Sequence, residues 1–241
     1  MTSEQASDER VAVRTEQVER GEAGTMALHV WDPPAAAVGS VLLVQEIFGV
    51  GPYIRAVAER LAAAGYLVGA PDVFWRFAPG WASDHTEQGL SESIGKVQQL
   101  DVPQAIDDCV AALARLQEVA GTGRPPAVLG FCLGGTLAWG VAAAGEPSCC
   151  VSYYGSGVPS MLDLIDRITC PTLLHFGDAD AYLPSEGVEA VAAAVAGRSG
   201  FVVNVESAGH AFDNHEAPMF WNEDAARAAW AKTMAFLEAH R

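Results

Sequence analysis

Short apolar runs recur along this chain, separated by segments of helical periodicity, and that alternation constrains the fold more than any other feature. SVLLVQE (40–46), YLVGAPD (66–72), AVLGF (127–131), CCVSYYG (149–155) and CPTLLHFG (170–177) are strand-length runs of the kind covered on both faces. FVVNVE (201–206) reads as a further strand. Between and after them, residues 52–64, 103–119, 133–144, 185–196 and 223–239 read as helices. The series predicts an α/β protein: a mostly parallel sheet with helices on both faces, joined by right-handed crossovers. RVAVRTEQVE and GTMALHVWDPP predict two earlier strands, with Gly21 and Gly24 marking the turn between them. Residues 73–100 read as a long connection carrying Phe74, Trp75, Phe77 and Trp81, and long connections in compact domains are often functional. Residues 1–7 read as a loosely attached tail and 8–241 as a single domain.

Composition narrows the function. Half of the 241 residues are hydrophobic, enough for a sizeable core, yet no apolar run is long enough and uncharged enough to span a bilayer. The opening MTSEQASDER lacks the basic and apolar regions of a signal peptide, so a soluble, cytoplasmic protein is expected. A formal net charge of −16 opposes binding to nucleic acid or to an anionic membrane. The five cysteines, 109, 132, 149, 150 and 170, contain no C-x-x-C pair and no zinc spacing, so no metal is implied and reduced thiols are expected. All but Cys132 read as inert packing.

Cys132 lies in Gly130-Phe131-Cys132-Leu133-Gly134, a G-x-C-x-G corner between a predicted strand and a predicted helix. This is the nucleophile-elbow pattern with cysteine in place of serine. Glycines two residues to either side are required because Cβ atoms there would strike the neighbouring strand and helix. The turn lifts the side chain to the carboxyl end of the sheet. The helix N-terminus favours thiolate over thiol, and the Leu133 amide is aimed where an oxyanion would form. No G-x-S-x-G competes with it.

A nucleophile needs a base, and the base an orienting acid. In this fold the chain order is nucleophile, acid, histidine. His210, in ESAGHAF just after the last predicted strand, is placed to reach across the sheet's carboxyl edge, whereas His175 lies inside a strand as a core residue. GDADAYLP offers Asp178 and Asp180, and spacing leaves the two even. VQEIFGVGPY (44–53) supplies the loop for a second oxyanion donor, the Ile47 amide. Glu46 beside it reads either as a cap or salt-bridge residue or as a carboxylate contacting the thiol or Arg76.

The set QEIFGV, PDVFWRFAPG, GFCLGG, YYGSG, GDADAYLP and AGHAF resembles the dienelactone hydrolase family of α/β-hydrolases, in order, from about residue 10 to 240. The resemblance implies a triad of Cys132, Asp180 and His210, oxyanion donors at Leu133 and Ile47, and a Glu46 that restrains the nucleophile until substrate arrives. It implies that Arg76 binds a substrate carboxylate through its two-pronged guanidinium, beside Trp75, Phe77, Tyr154 and Asn214. One position departs from the family: a second arginine, expected four residues after the histidine, is Asn214 here, preceded by Asp213. The expected activity is opening of a lactone or cleavage of a carboxylic ester, carboxylated or not, through an acyl-enzyme. No cofactor or metal is expected, the partner is the small-molecule substrate, and the protein is a monomer or small homo-oligomer. A generic esterase or thioesterase, and a non-catalytic ligand-binding or oxidant-sensing relative, are the competing readings.

Overall fold

The computed structural model describes residues 11–241; the expected tail, residues 1–7, and the first residue of the expected opening strand lie outside the described residues. The strands are β1 (Val13–Glu19), β2 (Thr25–Trp31), β3 (Gly39–Val44), β4 (Tyr66–Pro71), β5 (Ala127–Phe131), β6 (Cys150–Tyr153), β7 (Thr172–Gly177) and β8 (Phe201–Glu206). They form one eight-stranded sheet in the order β1-β2-β4-β3-β5-β6-β7-β8. β1 and β2 make an antiparallel hairpin, and β2 runs antiparallel to β4. Every pairing from β4 to β8 is parallel.

The continuous apolar runs have a simple cause. Side chains alternate across a strand, and both faces of this sheet are covered. In β3, Val41 and Leu43 pack on one face with α1 (Pro52–Ala63) and α6 (Glu223–Ala239), through Ile54, Leu61, Trp230 and Leu237. Leu42 and Val44 pack on the other with α3 (Val102–Ala120), α4 (Leu133–Ala144) and α5 (Ser185–Val195), through Ile106, Leu113, Leu137 and Val191. Each fully buried aliphatic side chain of this kind contributes on the order of 1.5–3 kcal/mol. The helices end as their sequences dictate: Asp101 caps α3 by accepting from the Gln104 amide, and Gly121 closes it in the left-handed conformation.

Two segments differ from expectation. The connection 73–100 contains a helix, α2 (Glu87–Val97), started by Thr86, whose hydroxyl accepts from the Gly89 amide at 3.1 Å. The expected loop between β6 and β7 holds 3-10 turns over Val158–Arg167. His175 is the buried core residue expected. Its Nδ1 lies 2.9 Å from the Asn204 amide nitrogen and its Nε2 3.0 Å from the Thr233 hydroxyl, and burial pulls its pKa down to about 3. No helix among the described residues is long and apolar enough to cross a membrane.

Candidate active site

The chain passes from β5 into α4 through one residue, Cys132, held at φ 56° and ψ −113°. A non-glycine residue in this region costs on the order of 1–3 kcal/mol and persists only where its surroundings enforce it. Here the enforcement is steric and hydrogen-bonded. A Cβ on Gly130 would sit 2.0 Å from the Gly134 carbonyl oxygen, and one on Gly134 would sit 2.2 Å from the Val44 carbonyl oxygen. The Cys132 amide donates to the Tyr153 carbonyl at 3.0 Å, and its own carbonyl accepts the first helical bond of α4, from Thr136 at 3.1 Å. The Leu133 amide, first in the helix, has no carbonyl one turn behind it. The Ile47 amide, in the loop after β3, has no hydrogen-bond partner among the described residues.

The loops after β7 and β8 bring the acid and the imidazole to the same sheet edge. His210 Nδ1 is 2.7 Å from Asp180 Oδ2. Asp180 Oδ1 accepts from the Tyr182 and Leu183 amides at 2.7 and 3.1 Å, which fixes the carboxylate. Asp178 is exposed and accepts from the Ser207 hydroxyl instead, so geometry separates two aspartates that spacing left even. The His210 ring is buried between the rings of Tyr154 and Tyr182, at centroid distances of 5.1 and 5.0 Å. Burial works against charging it. The Cys132 sulfur and Asp180 outweigh burial, through negative charge and hydrogen bonding, and raise its pKa to about 10. The ring is therefore an imidazolium at neutral pH, beside the Cys132 sulfur. Burial has the opposite effect on the packing thiols: it pushes Cys109 and Cys149 up to about 12, which keeps them protonated and unreactive.

Cys132, His210 and Ile47 open onto a cavity of about 310 Å³. Its walls are mostly apolar: Phe48, the Leu90, Ile94 and Val97 stripe of α2, Tyr182, Met219 and Phe220. Glu46 also lines it, buried at 3% exposure, but among the described residues no hydrogen bond joins it to the thiol or to Arg76. Its Oε1 is 2.8 Å from His85 Nε2, and its Oε2 accepts from the Asn214 side-chain amide at 3.1 Å. His85, stacked on Phe48 at 4.2 Å, is a site residue that no sequence motif marked. The α2 stripe did carry a signal, three apolar residues at spacings of four and three behind a threonine cap.

The structure does not bring Arg76, Trp75 and Phe77 to this cavity. The Arg76 guanidinium forks onto Asp108 of α3, with Nε and Nη2 each 2.8 Å from a carboxylate oxygen. Trp75 Nε1 and Arg20 Nε donate to the same carboxylate at 2.9 and 2.6 Å. A carboxylate buried at 2% exposure must be paired, and this one takes the guanidinium that the resemblance assigned to substrate. Phe77 packs on Phe74. Tyr154 is fully buried behind His210, its hydroxyl 3.3 Å from that of Tyr53, which donates to Asp213 at 2.9 Å. Asn214 does reach the cavity, where it holds Glu46. No group of histidine, cysteine, aspartate and glutamate suited to hold a metal ion occurs among the described residues.

Comparison with known proteins places these features in context. The profile of the Dienelactone hydrolase family matches residues 26–241. A carboxymethylenebutenolidase of a Pseudomonas species is 32% identical over 207 residues, which is 85% of this chain and 87% of the relative. A dienelactone hydrolase-like promiscuous phosphotriesterase from metagenomic libraries superposes with a TM-score of 0.80 at 21% identity, over 96% of this chain and 99% of its own. The dienelactone hydrolase of Anabaena variabilis superposes at 0.70 with 20% identity, over 96% of this chain and 100% of its own. At those identities the two structures speak for the shared α/β-hydrolase fold.

Proposed function

The chain belongs to the dienelactone hydrolase family, and from that premise we propose that it opens a lactone or cleaves a carboxylic ester through a thioester on Cys132. The thiolate attacks the carbonyl carbon. The oxyanion rests on the Leu133 and Ile47 amides, each worth about 3 kcal/mol at the transition state. Collapse expels the alkoxide, which takes the proton from His210; in a lactone that hydroxyl remains tethered to the acyl chain. His210, neutral again, accepts a proton from water as the water attacks the thioester, and the sulfur leaves as thiolate. Asp180 keeps the imidazole in the orientation and tautomer that both steps need.

The observation that carries this reading is the 2.7 Å bond between Asp180 and His210, on an imidazole that opens onto the same cavity as Cys132. The test is intact-mass spectrometry during turnover of a 4-nitrophenyl ester. The expected result is an added acyl mass on the Cys132 peptide and loss of turnover in Cys132→Ala. Turnover by Cys132→Ala at the parental rate would overturn it.

A further inference from the structure

Three features of the cavity agree on the charge of what it takes. First, no arginine or lysine lines it among the described residues. Arg76, the side chain nearest in sequence to such a role, is committed through both prongs of its guanidinium to Asp108. Second, the ionisable groups that face the space are Glu46 with His85 at 2.8 Å from it, Glu87, and the Cys132–His210 pair, in which the imidazolium is already matched by Asp180 and lies beside the sulfur. A substrate carboxylate entering here would meet negative charge and find no guanidinium or ammonium group. Third, the rim continues the apolar wall outward. Ile94, Tyr182 and Met219 are 43%, 54% and 71% exposed, an arrangement that removes apolar surface from water only when something apolar lies against it.

We propose that this site takes neutral esters or lactones with an apolar chain and discriminates against carboxylated ones. The proposal rests on the hydrolase reading above and adds the substrate class to it. The energetic reason is desolvation. A carboxylate loses its water on entering an apolar cavity and is compensated only where a cation or several donors replace that water. Here Asn214, a neutral amide, is already spent on Glu46.

The experiment compares two substrates that share a leaving group and a chain length: 4-nitrophenyl pentanoate and the 4-nitrophenyl monoester of glutaric acid, in which a carboxylate replaces the terminal methyl. The expected kcat/KM ratio favours the neutral ester by about 100-fold. In Arg76→Gln that ratio stays within about twofold of the parent, because Arg76 is not at the substrate; the ratio is insensitive to any loss of folded protein. In Met219→Arg, placed on an exposed rim position, the ratio narrows by about tenfold, since a cation now meets the carboxylate. Equal or reversed preference in the parent overturns the proposal while leaving the hydrolase reading intact. So does selective loss of the glutarate ester in Arg76→Gln, or an unmoved ratio in Met219→Arg. Failure to turn over either ester overturns both.

Discussion

Asp180 and His210 stand 30 positions apart in the chain and 2.7 Å apart in space, one on the loop leaving β7 and the other on the loop leaving β8. Asp178, two residues before Asp180, bonds to Ser207 and not to the imidazole. Asp180→Asn is therefore expected to lower kcat by on the order of 10³–10⁴-fold, because an amide there no longer enforces the catalytic tautomer. Asp178→Asn is expected to stay within about twofold of the parent. Steady-state kinetics of the two purified variants on one 4-nitrophenyl ester decides; comparable losses in both would contradict the placement.

His210 gives a second prediction, read by NMR. Its pKa of about 10 depends on the sulfur of Cys132 and on Asp180 overcoming burial. In Cys132→Ala the sulfur is gone and burial regains weight, so the ring's titration moves down. The sign for stability follows from a folded pKa above the ordinary 6.5. The charged ring favours the folded state below pH 6.5, and that contribution is lost as pH rises through about 10. Isotope-labelled histidine spectra across pH 5–11 in parent and variant would show it, and superimposable titrations would contradict it.

Packing at the corner predicts a sharp contrast between two glycines. Gly134→Ala drives a methyl to within 2.2 Å of the Val44 carbonyl oxygen, whereas a Cβ on Gly95 of α2 meets nothing within 4 Å. Gly134→Ala is expected to lower Tm by roughly 5–10 °C, and Gly95→Ala to raise it by roughly 1–3 °C as helix propensity improves. Scanning calorimetry separates them by sign.

A fourth prediction concerns acid behaviour away from the reacting atoms. Burial raises the Asp213 carboxyl to about 6, against the hydrogen bond from Tyr53 and the charge of Arg60, and its Oδ1 has no hydrogen-bond partner. The folded state thus holds that proton more tightly than the unfolded chain, and the group's contribution to stability falls as pH rises from about 4 to 6. Relative to Asp213→Asn, the parent is expected to lose about 3 kcal/mol across this window. Urea unfolding of both proteins at pH 4 and pH 7 measures the difference; parallel stabilities would refute it.

What the sequence revealed, and what it hid, divides along the range of the interactions involved. The Cys132 corner was legible because the conflict that demands Gly130 and Gly134 is built from backbone only a few residues away, together with one neighbouring strand. His210 was legible because chain order and a strand end place it. The partner of Arg76 was not: Asp108 lies 32 residues on, and its claim on the guanidinium arises only when α3 packs over the loop. Helix α2 was hidden for a different reason. It carries Gly89 and Gly95, and of its apolar residues Leu90 and Ile94 line the cavity while Val97 both lines it and packs on the main core. His85 sits before that helix in SDHTEQ, with no spacing to connect it to Glu46, 39 positions earlier.

That orientation of α2 has an evolutionary corollary. Leu90 and Ile94 turn their apolar surface to the cavity and lie outside the permanent interior, so exchanging them for larger, smaller or more polar residues leaves the sheet and the elbow mechanically undisturbed. Selection, natural or in the laboratory, can retune what this protein accepts by rewriting one helix face without renegotiating the stability of the scaffold that carries the chemistry.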